Sequence, residues 1–408
     1  MNLFKVFTVK DTKNLINDNF NYEMQVETIN IIEATGRIIK DDIKAPVNVP
    51  DFKRSTVDGY AVLSRDLFGA SESIPALLNY KGEILMGEEA IGEIKMPGDC
   101  YYVPTGGMLP CKSDSVIMIE YTQKLDENTI LGEKSVSPNE NVIDIGEDIK
   151  KGEIVIKKGT KLRAYEIGVL SSLGISKIEV YKAPVIGIIS TGDEIVDCEE
   201  TPKIGQIRDI NTYLLYSLCV ESGCEPKKYG LIKDDFNLLK QTVEKAVEEC
   251  DIVLMSGGSS VGKKDHTVNV INSLGDEGVL VHGISVKPGK PTIIGKAKNK
   301  IIFGLPGHPL ACAVIFKTMV KYYIDKILNY HEISYPVKCK FSINYHGAKG
   351  REEYLPVILS EENEEIIAKP IFGKSGLITG FSRAWGYVKI ERNEEGIKEG
   401  QFVDVYKF

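Results

Sequence analysis

The sequence predicts a multidomain α/β protein in four parts. A central doubly wound α/β domain spans residues 183–328, and a β-rich domain is inserted at 47–141. An N-terminal mixed α/β, partly helical domain is assembled from 1–46 and 142–182, and a C-terminal β barrel covers 329–408. Three observations carry this. Between 183 and 328, apolar β-branched runs alternate with amphipathic stretches of helical length, the pattern of a parallel sheet covered on both faces. From 47 to 141, short β-like runs are cut by Gly and Pro. Beyond "EISYPVKCKF", strand-like segments recur at regular spacing with turns between, which favours a small barrel or sandwich.

Taken in order, residues Ile29 to Ile39 read as a helix closing at Gly36, followed by the proline-punctuated linker "IKAPVNVPDF". "EILMGE", "CYYV" and "SVIMIEY" supply strands of the inserted domain, and "YEIGVLSSLG" is helical. In the central domain "PVIGIIS" is a buried strand and "NTYLLYSLCVES" a helix closed by Gly223. Asp234 and Asp235 offer N-cap oxygens to the helix "LLKQTVEKAVEEC", which runs into the strand "DIVLMS". "HTVNVINSLG" is a third helix, "VLVHGISV" and "KIIFGL" are further strands, and "ACAVIFKTMVKYYIDKIL" is a long helix. "YLPVILS", "EEIIAKPIF", "AWGYVKI" and "FVDVYKF" close the chain as strands.

Composition narrows the function. With 408 residues and a net charge of -8, the chain can bury a large core but offers no nucleic-acid-coating surface. Its eight cysteines form no C-x-x-C pair and no Cys/His cluster of metal-ligand spacing, as for small buried hydrophobes in a reducing compartment. The N-terminus meets charge too early for a signal-peptide core, and no apolar run approaches the ~18 residues of a membrane span. The expectation is a cytoplasmic protein without a membrane or nucleic-acid partner.

Ligands of a doubly wound sheet bind beyond the carboxyl ends of its strands. The loops there are "STGDE", "SGGSSVGKKD", "KPGKP" and "GLPGHP". The second has the spacing of a phosphate loop, but Lys264 stands where the Mg²⁺-binding hydroxyl belongs. What survives is a set of backbone N–H groups, at Gly257, Gly258, Ser259 and Ser260, able to face an anion near a helix start. For the glycine pair alone, a plain strand-to-helix turn needing small residues is the better explanation. Asp193, Glu194, Asp234, Asp235 and Asp265 are singly caps or loop charges, yet together they offer hard oxygens suited to Mg²⁺. In "KPGKP", Pro288 and Pro291 hold Lys287 and Lys290 rigidly, which suits a small oxyanion or simply a stiff solvent loop. His308 of "GLPGHP" fits a turn or binding role better than general-base catalysis. No G-x-S-x-G elbow or H-E-x-x-H helix is present, leaving metal-assisted handling of a phosphorylated anion.

Eight segments in register, "STVDGYAV", "PTGGMLP", "GEDIKKGE", "STGDEIV", "GQIRDIN", "SGGSSVGKKD", "KPGKP" and "GLPGHP", resemble the molybdopterin molybdenumtransferase family, the MoeA proteins and the E domain of gephyrin. The match runs over essentially the whole chain. The resemblance implies a Mg²⁺-assisted transferase that inserts molybdate at the dithiolene sulfurs of adenylylated molybdopterin and releases AMP. It implies active-site roles for Asp58, Thr105, Glu120 and Asp148, and an acidic set of Glu194, Asp234, Asp235 and Asp265, with Asp193 beside them as a Mg²⁺ ligand. Thr191, Gly192, Ser256, Gly257, Gly258, Ser259 and Gly262 would bind the pterin substrate, as would Pro306, Gly307 and His308. Lys287, Pro288, Gly289, Lys290 and Pro291 would hold molybdate with Arg351 of "GREEY" and Ser375 of "GKSG". A homodimer whose clefts draw on both subunits is also implied, together with an upstream adenylyltransferase and downstream molybdoenzymes as partners. His308 departs from the Asn that many members carry. Two rivals stand beside this reading: a molybdopterin adenylyltransferase using ATP, and a non-catalytic molybdopterin-binding scaffold.

Overall fold

The structure, a computed structural model, describes residues 6–257, 266–275, 277–374 and 376–408. The chain divides into two compact units, one of Met1–Thr28, Gly36–Lys40 and Glu179–Phe408, the other of Ile29–Thr35 and Asp41–Ile178.

The first unit holds a six-stranded sheet in the order Glu225–Ile232, Val185–Thr191, Ile252–Ser256, Lys300–Leu305, Ile293–Ala297, Gly278–His282. The first four strands are parallel. Successive strand residues point to opposite faces, and each face has its own helices. Ile186, Ile188, Leu254 and Phe303 pack against Leu215 and Leu218 of helix Asn211–Glu221 and against Tyr323. On the other face Ile189, Val253, Met255 and Ile302 meet Leu239 and Val243 of helix Phe236–Glu249 and Val270 of helix His266–Asn272. These side chains are buried, and each contributes roughly 1.5–3 kcal/mol of transfer free energy. The final helical stretch runs as Pro309–Ile315, a π turn at Phe316–Val320, and Lys321–Ile327.

Two strands of this sheet were not read from the sequence, the edge strand Glu225–Ile232 and Ile293–Ala297, and the second refines the parallel-sheet expectation. Ile293–Ala297 runs antiparallel to both neighbours. It forms a hairpin with Lys300–Leu305 through Lys298 and Asn299, both in the left-handed region, as a tight two-residue turn requires. The start of this reversed strand therefore lies at the sheet edge where Val185–Thr191, Ile252–Ser256 and Lys300–Leu305 end. That is how "KPGKP" reaches the same rim as the other loops.

The C-terminal barrel closes through five strands in the order Glu352–Glu362, Glu365–Pro370, Val337–Phe341, Phe402–Lys407, Gly386–Ile390 and back to Glu352–Glu362. Phe341, Leu355, Val357, Ala368, Val388 and Val405 fill it.

In the second unit a six-stranded sheet carries Ser115–Met118, Gly59–Val62, Asp99–Val103, Ala76–Glu83, Thr129–Gly132 and Thr122–Lys124 in that order. The helix expected at Ile29–Ile39 is absent. Strand Val26–Asn30 leads into a single 3₁₀ turn, Ile31–Glu33, capped by the Asn30 side chain on the Ile32 N–H. Four β-branched residues among Thr28 to Ile32 restrict χ1 and favour this outcome over a helix. Helices missed in the sequence are the short Ile378–Ser382 and, also in the first unit, Val9–Asn19, N-capped by Thr8, with Ile16 buried in the core.

Candidate functional site

The chain leaves Val185–Thr191 for its neighbour Glu225–Ile232 on one side and returns to Ile252–Ser256 on the other. The gap between the loops after Thr191 and Ser256 is thus the topological switch point of the sheet. A cleft of about 570 Å³ opens there. Thr191, Gly192, Glu194, Asp234, Ser256, Gly257, Pro291, Pro306, Gly307 and His308, all predicted from sequence, line it.

Its floor is tied by hydrogen bonds. Thr191 Oγ1 donates to Asp234 Oδ1 at 2.8 Å, which brings a carboxylate from the loop before helix Phe236–Glu249 to the end of strand Val185–Thr191. Gly257 has φ +101°, and a Cβ there would stand 2.1 Å from the Thr191 carbonyl oxygen, so only glycine permits this approach. Five lining residues come from "GQIRDIN", none of them a predicted site residue: Ile207, Arg208, Asp209, Ile210 and Asn211. Asn211 donates to Ser256 Oγ at 2.7 Å and to the Gly307 carbonyl at 2.8 Å, and Asp209 accepts from the Thr212 N–H at 3.0 Å. Both are buried polar residues at the start of an apolar helix. That burial of polar groups was the available signal.

The acidic set separates. Glu194 and Asp234 line the cleft. Asp193 instead accepts the Asp234 N–H at 3.2 Å, and Asp235 caps helix Phe236–Glu249 by accepting the Leu238 N–H at 2.8 Å. Asp193 and Asp235 each turn one carboxylate oxygen to a backbone donor, and Asp265, expected with them and Glu194 around one cation, lies outside the described residues. Among the described residues no three His, Cys, Asp or Glu side chains are placed to hold a metal ion. Gly258, Ser259, Ser260, Gly262, Asp265 and Ser375 lie outside the described residues.

A second pocket, of about 340 Å³, adjoins the cleft and shares Pro291, Pro306 and His308 with it. Lys287, Pro288, Gly289, Lys290 and Arg351 line it, as the sequence predicted. Tyr345 and Glu353, which the sequence reading passed over, line it too. Lys290 is exposed, whereas the Lys287 ammonium is 2.7 Å from Glu353 Oε1. Glu353 also accepts from the Tyr345 hydroxyl at 2.6 Å and the Ala348 N–H at 2.8 Å. Burial, and then this bond to Glu353, push the Tyr345 phenol up, so it stays a donor at neutral pH.

In the second unit the Asp58 side chain accepts the Thr105 N–H at 2.7 Å and the Thr105 hydroxyl at 3.1 Å. The Asp58 carbonyl accepts the Ile119 N–H at 2.9 Å, which sets Glu120 on the adjoining turn. These three residues are exposed and form one cluster. Asp148, also exposed, stands on a separate turn whose N–H donates to the Val49 carbonyl at 3.1 Å.

Residues 7–174 match the family described as MoeA N-terminal region (domain I and II), 187–326 the "Probable molybdopterin binding domain", and 338–408 the MoeA C-terminal region (domain IV). A Methanocaldococcus jannaschii chain named for molybdopterin biosynthesis is 38% identical over 94% of this chain and 92% of its own. A molybdopterin molybdenumtransferase of Haemophilus influenzae is 30% identical over 99% of each. The crystal structure of a molybdopterin biosynthesis MoeA protein from Pyrococcus horikoshii superposes with a TM-score of 0.83 at 37% identity, covering 99% of both chains. With three regions matched in order and relatives aligned end to end, the chain belongs to the molybdopterin molybdenumtransferase family.

Proposed function

We propose that this chain is a molybdenum insertase, a transferase of molybdenum cofactor biosynthesis that takes adenylylated molybdopterin and molybdate and releases AMP. The observation that carries the reading is the pair of adjoining pockets. One is a switch-point cleft lined by the carboxylates of Glu194, Asp209 and Asp234 and by Arg208, and the other is a cationic pocket at its rim. The first suits a phosphorylated pterin whose anhydride abuts the strand ends. The second suits a tetrahedral oxyanion, with Lys290 and Arg351 supplying charge. Because the pockets share Pro291, Pro306 and His308, an oxyanion in one sits beside a substrate in the other. Proximity of this kind converts encounter into an intramolecular event. The dithiolene sulfurs are the ligands of molybdenum, so the chain needs no nucleophilic Ser or Cys.

Glu194 and Asp234 fit a Mg²⁺ that takes one or two carboxylates and completes its shell with water and substrate phosphate. When bound, the ion would neutralise charge on the phosphoanhydride. The chain's own part is to orient: the Thr191 hydroxyl fixes Asp234, and Asn211 holds the Ser256 and Gly307 loops in register. Asp58, Thr105, Glu120 and Asp148 are proposed to act in the same reaction, in a cytoplasmic homodimer that receives substrate from an adenylyltransferase and passes product to molybdoenzymes. No helix of the described residues is long and apolar enough to cross a membrane.

The test is incubation with adenylylated molybdopterin, Mg²⁺ and molybdate, followed for AMP and for cofactor able to reconstitute an apo-molybdoenzyme. Molybdate-dependent AMP release is expected. ATP consumption without added adenylylated substrate would point to the adenylyltransferase instead, and absence of both activities to a scaffold. Light scattering is expected to give twice the chain mass.

A further inference from the structure

The lysines of "KPGKP" are not equivalent. Lys287 is the last residue of a two-residue strand, Val286–Lys287, that leaves the α/β domain and pairs in parallel with the first residues of a barrel strand. In that ladder Val286 faces Glu352 and Lys287 faces Glu353. The Glu352 N–H donates to the Ser285 carbonyl at 3.0 Å, and Ser285 Oγ donates to the Gly350 carbonyl at 2.8 Å. Arg351 therefore sits inside a seam stitched to the residues just before Lys287. Glu353 is 3% exposed in its side chain, and with Lys287 at 41% it forms an ion pair that is buried on the acidic side only.

A carboxylate this buried is costly without a cation, whereas a half-exposed ammonium loses little if left alone. The pair thus serves Glu353 first. Among the described residues the charged groups lining the pocket are Lys287, Lys290, Arg351 and Glu353, so their net charge is +2 with His308 neutral. Since Lys287 and Glu353 cancel, that +2 resides on Lys290 and Arg351.

We infer that Lys287 and Glu353 form a net-neutral pair between the Lys290 loop and the strand carrying Arg351, leaving Lys290 and Arg351 as the uncompensated cations among the pocket's described residues for a tetrahedral dianion. The inference rests on the reading of this pocket as the molybdate site and refines it. The backbone ladder of Val286–Lys287 with Glu352–Glu353 holds the pocket in shape, and the Lys287 side chain sets its charge by cancelling Glu353 without contacting the oxyanion.

The experiment compares wild type, K287M, E353Q and the K287M/E353Q double variant. Molybdate binding is measured by equilibrium dialysis, KM for molybdate and for adenylylated molybdopterin by AMP release, and folding by thermal melting. K287M is expected to weaken molybdate binding about tenfold, because the unmasked Glu353 charge repels the anion, and to melt lower. Adding E353Q restores the pocket's charge and should bring molybdate affinity back to within about threefold of wild type. E353Q alone keeps acceptors for Tyr345 and Ala348 and should bind molybdate no more weakly than wild type. KM for adenylylated molybdopterin should stay put throughout, which a general loss of structure would not allow. The inference is overturned if the double variant recovers its melting temperature but binds molybdate as weakly as K287M, since Lys287 would then be a direct ligand. It is equally overturned if E353Q alone weakens binding. Failure of the wild-type protein to bind molybdate at all would instead reject the pocket's proposed ligand, and the pair's role with it.

Discussion

Replacing Gly257 by alanine tests the geometry of the cleft floor. The added Cβ would lie 2.1 Å from the Thr191 carbonyl oxygen and 3.1 Å from its carbon, at φ +101°. Two costs add. Backbone in that region costs a non-glycine residue on the order of 1–3 kcal/mol. Pushing packed backbone aside costs about 1–3 kcal/mol more. Together roughly 2–6 kcal/mol is a large share of the ~5–15 kcal/mol of a folded protein. The second term has a functional reading, because Thr191 must yield and its hydroxyl holds Asp234. A displacement near 1 Å at such a group costs about a hundredfold in rate. Gly205→Ala is the control: Gly205 has φ +92° but nothing within 4 Å of an added Cβ, so it incurs the backbone term alone. G257A should therefore melt well below G205A and lose about a hundredfold in AMP release, while G205A keeps near-parental turnover. Equal melting and equal turnover of the two variants would refute the close approach of Gly257 to Thr191.

Thr191→Val removes the hydroxyl donor to Asp234 at constant shape, and is expected to lower kcat/KM for AMP release about tenfold while thermal melting barely moves. Of the eight cysteines, Cys111 and Cys198 are exposed and six are buried, with the Cys100 thiol pushed up to about 12 by burial; Ellman's reagent should titrate two thiols in native protein and eight in denaturant. In the second unit the Glu166 carboxyl is held down to about 2, chiefly by the Arg163 side chain, whose Nη2 lies 2.6 Å from it. A carboxylate depressed in the folded state stabilises above its unfolded pKa and loses that contribution as pH falls through the folded value. Urea midpoints should accordingly show E166Q less stable than wild type at pH 6, with the gap closing between about pH 4.5 and pH 2.

The strand-end loops were readable because a doubly wound sheet puts its ligand-facing residues in short local stretches, and "STGDE", "SGG" and "GLPGH" are marked by composition alone. Assigning individual carboxylates was harder. Asp234 and Asp235 are adjacent and chemically identical, and only the direction in which the helix begins decides which one caps it. The cap-to-third-residue spacing from Asp235 to Leu238 is compatible with the sequence, but so is the spacing from Asp234 to Asn237. The reversed strand Ile293–Ala297 escaped notice because its turn is Lys298-Asn299, without the glycine that ordinarily betrays a two-residue hairpin. Missing it did not displace "KPGKP" from the site, since the reversal returns that loop to the edge where the other strands end.

Lys287 shows where reading charge from a motif fails. Within "KPGKP" two ammonium groups look alike, and electrostatics drawn from the motif assigns both to the anion. The group that distinguishes them is Glu353, far along the chain, on a strand whose inward positions Leu355 and Val357 fill the barrel core. Glu353 opens a run to Val357 in which every residue is buried, and a buried carboxylate requires a cation. That burial sets the demand for a partner, while the partner's identity depends on the parallel ladder between Val286–Lys287 and Glu352–Glu353. Net charge in a pocket is a property of that pairing. Counting cations by motif overstates it by one here, and the difference is the one the K287M/E353Q variant measures.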